Sequence, residues 1–373
     1  MIKRLLEQAV LQKFHKGKAI VIIGPRQTGK TTLLANIVSQ YENCLTLNCD
    51  DPYVRNRLEN INNEQLRQLI GNNTVVFIDE AQRVKNIGLT LKLIIDGMKD
   101  VQVFVSGSSS LDLANEINEP LTGRKWEYFL YPISWGEFQD HVGNLKAMQQ
   151  LEQRIVYGMY PDVINQTGNE RETLKLISDS YLYKDLLAFK GIRKPEILFK
   201  LLQALALQIG NQVSYNELAN HLQIDKITIA NYIDLLEKVF VIFRLQPFSR
   251  NLRNEINSSR KIYFYDTGVR NSIINNFNPL ELRNDVGVLW ENFIISERMK
   301  HCHYNQIYAN TFFWRTHQQQ EIDYVEERDG NLFAYEFKWV AASKHKIPKS
   351  FKDAYPEAEA KIIDKDNFLD FLK

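Results

Sequence analysis

The stretch Gly24-Pro25-Arg26-Gln27-Thr28-Gly29-Lys30-Thr31 constrains this chain more than any other. It reads G-x-x-x-x-G-K-T and lies between the apolar run Ala19-Ile20-Val21-Ile22-Ile23 and a helix-compatible run from Thr32 to Val38. Continuous β-branched, apolar residues are what a buried parallel strand needs. Strand, glycine-bounded loop and helix together make an anion cradle. Gly24 and Gly29 let backbone N–H groups converge, and the helix N-terminus adds partial positive charge. Gly24 to Thr31, with Thr32, are therefore the candidate nucleotide contacts. Lys30 would reach the β- and γ-phosphates, and the Thr31 hydroxyl would help hold Mg²⁺.

Further along, Thr74-Val75-Val76-Phe77-Ile78-Asp79-Glu80 is an apolar strand ending in two acids. A strand-end carboxylate holds Mg²⁺ in such folds, so Asp79 is assigned to the metal. Glu80 is assigned to the water that attacks the γ-phosphate, a role that needs a carboxylate within hydrogen-bond reach. The next strand, Val101 to Val105, runs into Ser106-Gly107-Ser108-Ser109-Ser110. Ser108 is the first choice for a hydroxyl that senses the γ-phosphate and Ser106 the second; a helix-capping turn is the alternative. Arg124 follows Gly123, away from the loop. It is either an arginine that completes a neighbouring subunit's site or a surface residue.

With 373 residues the chain is too long for one ordinary core, and two or three domains are expected. The net charge of +1 hides any patchiness and identifies no partner. Cys44, Cys49 and Cys302 lack C-x-x-C spacing, which argues against a disulfide framework or zinc site and fits a reducing, cytoplasmic setting. No apolar run approaches the roughly 20 residues that span a bilayer. The first residues lack the apolar centre of an export signal, so no membrane association is expected.

The nucleotide half resembles the AAA+ superfamily of P-loop ATPases at Gly24 to Thr31, Phe77 to Glu80, Ser106 to Ser108 and Arg124. A closer likeness is to prokaryotic ATPases with an uncharacterised C-terminal region. It is visible in Gly24 to Leu34, in Phe77-Ile-Asp-Glu-Ala-Gln82, and in Leu130-Tyr-Pro-Ile-Ser-Trp-Gly-Glu-Phe138. The resemblance implies ATP rather than GTP, since no N-K-x-D signature is present, and subunits that assemble into a ring, a hexamer. It also makes Gly158 and Pro161 look like elements of a helical lid, although a helix-ending turn explains them nearly as well.

From Pro195 the pattern changes to short helices. Ser214-x-x-Glu217 is a capping box that starts one of them. A second begins near Asp225 and carries Ile227, Ile229, Tyr232, Ile233, Leu235 and Leu236, spaced for one buried face. A strand-like run, Val239 to Leu245, follows. Helix, turn, helix and hairpin are the layout of a winged helix, which binds DNA or packs against other domains. In the wing, Arg250, Arg253, Arg260 and Lys261 are expected to contact DNA phosphates.

The last third adds a helix containing Glu291, a strand with Glu321-Ile322-Asp323, an Asp329-Gly330 hairpin turn, and a strand carrying Glu336-Phe337-Lys338. Side chains alternate along a strand, so Glu336 and Lys338 share a face that Asp323 can join. Two acids that hold Mg²⁺ or Mn²⁺ beside a lysine suit phosphodiester hydrolysis. The set resembles the PD-(D/E)XK nuclease superfamily, especially archaeal Holliday-junction resolvases. That resemblance implies Asp323 and Glu336 as metal ligands, Lys338 as catalytic and Glu291 as a fourth member. An inert nuclease-like scaffold is the alternative.

The expected fold is α/β: an AAA+ P-loop ATPase core over 1–145, a helical lid over 146–194, a winged helix over 195–262, and a restriction-endonuclease-like α/β domain over 263–373. Three functions compete. One is an ATP-driven motor on DNA, branched or junction DNA by analogy, with a fused nuclease. Another is a nucleotide switch with partner-binding modules, in defence or toxin control. The third is a protein remodeller.

Overall fold

A computed structural model describes residues 2–108, 117, 119–182, 186, 194–248, 260–316, 318–341 and 346–372. The chain divides into two compact units, Met1–Ile133 with Lys238–Phe240, and Ser134–Glu237 with Val241–Lys373. Among the described residues no helix is long and apolar enough to cross a membrane.

The first unit is built on a five-stranded sheet in the order β2-β3-β4-β1-β5. Its strands are β1 (Ala19–Ile23), β2 (Cys44–Asn48), β3 (Val75–Asp79), β4 (Gln102–Gly107) and β5 (Lys125–Phe129). All pairings are parallel. Every residue of β1, β3 and β4 is buried, which explains why these runs lack polar alternation. The chain leaves β1 for the sheet edge at β2, returns through β3 and β4, and then places β5 on the other flank of β1. This reversal opens a crevice at the carboxyl ends of the strands, where α/β sheets take ligands.

Local chemistry fixes the helices. Asn62 and Gln65 form a reciprocal capping box that starts the helix Asn63–Ile70. The helix Ile87–Gly97 buries Ile87, Leu91, Ile94 and Ile95, the helical spacing of one apolar face.

The second unit carries a seven-stranded sheet in the order β12-β11-β10-β9-β7-β8-β6. Its strands are β6 (Gln212–Val213), β7 (Ile242–Pro247), β8 (Arg260–Phe264), β9 (Asn310–Arg315), β10 (Glu321–Arg328), β11 (Asn331–Phe337) and β12 (Glu359–Ile363). Asp329 and Gly330 both adopt positive φ, 51° and 77°, as a two-residue hairpin turn between β10 and β11 requires. Helix Pro195–Leu207, β6, helices Tyr215–Leu222 and Lys226–Lys238, β7 and β8 follow one another, and β8 pairs antiparallel with both β6 and β7. Helix Val286–Tyr304 precedes β9, and a helix Lys349–Ala354 separates β11 from the parallel β12.

The break at Gly158 has a packing cause. Gly158 has φ +74°, and a Cβ there would collide with the Asp266 carboxylate. That carboxylate accepts from the Met159 N–H at 2.7 Å and caps the helix Thr267–Ile273 through the Val269 N–H at 3.0 Å. A Cβ on Gly268 would strike the Tyr157 carbonyl. Two glycines thus let two helix ends meet around one buried acid.

Gly158→Ala should therefore destabilise the second unit by at least about 2 kcal/mol, combining left-handed strain with a clash. Gly168, at φ +93° with open space around it, should cost only about 1 kcal/mol as Ala. Urea unfolding of the two variants measures the difference.

Candidate functional site

The phosphate-loop residues sit where the sheet reversal predicts. Gly29, at φ +90°, is the N-cap of the helix Lys30–Val38. Gly24 has no room for a side chain, because a Cβ would meet the Leu130 carbonyl. Leu130 itself donates its N–H to Ile23 at 2.8 Å, so the segment after β5 shapes the loop. Thr28 donates to the Pro25 carbonyl at 2.9 Å. Arg4, buried, donates to the carbonyls of Thr28 at 2.6 Å and Tyr131 at 2.7 Å. No local pattern singles out Arg4, since its partners lie far along the chain.

Lys30 is buried and its ammonium donates to the carbonyls of Gly24 at 2.9 Å and Pro25 at 2.7 Å. The Thr31 hydroxyl lies 3.0 and 3.1 Å from the two Asp79 carboxylate oxygens. A hydroxyl and a carboxylate side by side are hard oxygen donors, which fit Mg²⁺. Ser106 also donates to Asp79 and accepts from the Glu80 N–H at 3.2 Å. Of the two candidate serines, Ser106 thus touches Asp79. Ser108 connects instead to Glu80 through Gln82, whose amide donates to Glu80 at 2.6 Å and to Ser108 at 2.9 Å. Gln82 closes the Phe77-to-Gln82 stretch of the family likeness, but the sequence assigns it no role; its place two residues after Glu80 is the local signal. Glu80 takes a left-handed conformation, φ 53°, uncommon for a residue with a side chain. Cys49, beside this site, has its thiol pushed up to about 12, by burial first and then by Asp79, so it is no nucleophile. Arg124 is half-exposed and pairs with Asp96 at 2.8 Å.

A second cluster lies in the other unit. Continuing the β10–β11 register past Tyr324–Tyr335 brings Asp323 level with Glu336. The β9–β10 register shifts between Ile322 and Val325, so Asp323 sits at an irregularity of the kind that re-aims side chains. Asp323 accepts the Phe337 N–H at 2.8 Å. Lys338 lies 2.7 Å from Glu336 and 4.0 Å from Asp323. Glu291, from the helix Val286–Tyr304, accepts from the Tyr263 hydroxyl at 2.5 Å. The structure therefore brings Glu291, Asp323, Glu336 and Lys338 together.

It also brings Lys261 there, and this corrects its expected contact with DNA. Lys261 on β8 is only 1% exposed; its ammonium lies 3.0 Å from Glu291 and 3.9 Å from Asp323, and pairs with Glu321. A lysine inside the apolar strand Lys261-Ile262-Tyr263-Phe264 was the signal. Of the other expected phosphate contacts, Arg260 is half-buried, and Arg250 and Arg253 lie outside the described residues. Among the described residues, no group of three or more His, Cys, Asp or Glu side chains is arranged to hold a metal ion. The acids meet ammonium groups instead, so the expected Mg²⁺ or Mn²⁺ ligand set of Asp323 and Glu336 does not fit as arranged.

Burial shifts these groups. The Glu291 carboxyl is pushed up to about 7, by desolvation first, with Lys261 opposing and Asp323 adding to the rise. Glu336 is also raised, by burial and then by Asp323, and its Oε2 is buried without a hydrogen-bond partner. Burial pulls Lys261 down, but Glu291, Asp323 and Glu321 outweigh it and the ammonium is held charged.

Comparison with known proteins follows this division. Residues 16–139 match the AAA domain family, residues 148–280 a domain of unknown function (DUF8612), and residues 286–369 a domain of unknown function (DUF4143). An uncharacterized protein of Mycobacterium tuberculosis is 28% identical over 91% of this chain and 74% of its own length. Another, from Methanocaldococcus jannaschii, is 26% identical over 70% of this chain and 64% of its own. A Walker-type ATPase of Pyrococcus abyssi shares the fold, with a TM-score of 0.53 at 14% identity, covering 74% of this chain and 96% of that one. The chain carries an AAA/P-loop ATPase domain, and that family implies ATP with Mg²⁺.

Glu291 gives a pH prediction. Its native pKa, about 7, exceeds its ordinary 4.5, so the folded state holds the proton more tightly. This contribution is full below the ordinary value and is lost as pH rises through the native one. Between about pH 5 and 8, the urea midpoint of the native protein should fall relative to Glu291→Gln.

Proposed function

We propose that the chain is an ATP-driven motor or remodeller that acts on DNA, branched or junction DNA being the preferred form. The observation that carries the ATP half is the contact of Thr31 with Asp79 at the carboxyl end of β3, next to Glu80. Bound Mg²⁺ would offset charge on the β- and γ-phosphates. Thr31 and Asp79 would hold it, and Ser106 keeps the Asp79 carboxylate turned toward Thr31. Lys30 would exchange its two carbonyl partners for phosphate oxygens. Glu80, oriented by Gln82, would take the proton of the attacking water. Arg124 would leave Asp96 to stabilise charge on a neighbour's nucleotide in a hexameric ring.

Two arrangements support the DNA half. The helix–strand–helix–helix–strand–strand order from Pro195 to Phe264 supports a winged helix, and its helix Lys226–Lys238 exposes Lys226, Ile227 and Asn231. A helix, three antiparallel strands, a helix and a parallel strand support a restriction-endonuclease-like fold for the last third. A second reading is a nucleotide switch whose C-terminal modules bind protein partners. It is favoured by Lys261, which already pairs with the acids a nuclease would need.

Lys30→Ala should abolish ATP binding, and Glu80→Gln should bind ATP but hydrolyse it at least about 100-fold more slowly. Wild-type turnover in Glu80→Gln would remove the assigned base. ATPase rates with duplex, single-stranded, forked and four-way-junction DNA separate the readings. Stimulation by any of them supports the motor, and none with all four favours the switch. Arg124→Ala should lower turnover about 1,000-fold in a ring and leave a monomeric enzyme unchanged.

A further inference from the structure

The acid cluster of the second unit contains four carboxylates, Glu291, Glu321, Asp323 and Glu336, and three basic groups reach them. Lys261 serves Glu291, Glu321 and Asp323. Lys338 serves Glu336 and Asp323. Arg315 lies 3.4 Å from Glu321. One formal negative charge is left over. A divalent ion added to this set would overshoot neutrality in a largely desolvated space.

Position argues the same way. Mg²⁺ needs near-octahedral oxygen ligands at about 2.0–2.1 Å, which requires the carboxylates to converge on one point. Here the Lys261 ammonium occupies the space between Glu291 and Asp323. A doubly charged ion drawn by those acids would lie within about 4 Å of a positive charge, a repulsion that solvent screens poorly in a buried site. Lys261 is also fixed. Its strand is paired on both sides, to β6 and β7, and its ammonium packs 5.6 Å from the Phe313 ring centre. Tyr263, two residues on, donates its hydroxyl to Glu291.

We infer that Lys261 is the resident counter-cation of this cluster: its ammonium takes the place a divalent metal would need, and the unit binds neither Mg²⁺ nor Mn²⁺ at Glu291, Asp323 and Glu336. The inference is independent of the nucleotide site. It assigns the second unit the role of a scaffold with an internally neutralised acid face, and Lys261 the role of a positioning residue for Glu291 and Asp323.

Mn²⁺ binding to the full chain, followed by electron paramagnetic resonance, tests it. Asp79→Asn first removes the ion expected at the nucleotide site. In that background no stoichiometric Mn²⁺ should bind. Adding Lys261→Met should create one site, at least about tenfold tighter than any residual binding in that background, because the repelling charge is gone, and Asp323→Asn should abolish it. Lys261→Met leaves buried acids unpaired, so Lys261→Met with Glu291→Gln serves as a second variant with one carboxylate neutralised. Circular dichroism reports which of the two is folded. Stoichiometric Mn²⁺ in the Asp79→Asn protein, removed by Asp323→Asn, would overturn the inference without any lysine variant. So would the absence of a new site in the folded lysine variant.

Discussion

One buried carboxylate, that of Asp79, organises the first unit. It ends β3, accepts from Thr31 at the start of the phosphate-loop helix, and accepts from Ser106 at the end of β4. Three segments are tied at the mouth of the sheet by a group that is 7% exposed. A buried charge is tolerated only when hydrogen bonds or a partner charge compensate it. Here the hydroxyls of Thr31 and Ser106 supply the bonds. The constraint that stabilises the fold is thus the one that makes the crevice receptive to a cation.

The two units satisfy their charged groups differently. In the first, the acids at the crevice meet hydroxyl and amide donors, and Lys30 meets backbone carbonyls. In the second, acids meet bases directly: Arg298 forms a two-pronged pair with Glu326, and Lys300 pairs with Glu297, all four nearly inaccessible. Lys261 and its acids belong to this pattern. Removing one member of such a pair strands a buried charge, so these groups specify the fold more than they add net stability.

How much was legible in the sequence depended on the distance along the chain between interacting residues. The phosphate loop was readable because strand, turn and helix lie within twenty residues or so and each obeys a local rule. The Asp329-Gly330 turn was readable for the same reason, and it set Asp323 against the face that Glu336 and Lys338 share by strand alternation. Arg4 was not, because its partners at Thr28 and Tyr131 lie 24 and 127 positions away. Ser108 was ranked ahead of Ser106, yet Ser106 is the one that touches Asp79, because that contact depends on the pairing of β3 with β4. Lys261 was misread by its neighbours: it follows a basic, asparagine-rich stretch, yet its own position lies inside a strand of the core.

The two-residue turn at Asp329 and Gly330 has a further consequence. Side chains alternate faces with a period of two, so the alignment of Asp323 with Glu336 and Lys338 depends on whether the number of residues between them is odd or even. One residue inserted in the turn, with the strands re-paired around it, would send the acid of one strand to the opposite side from its partner. Two inserted residues would restore the face. The length of this turn is therefore restricted by parity rather than by space, even though its tip is exposed and touches none of the acids.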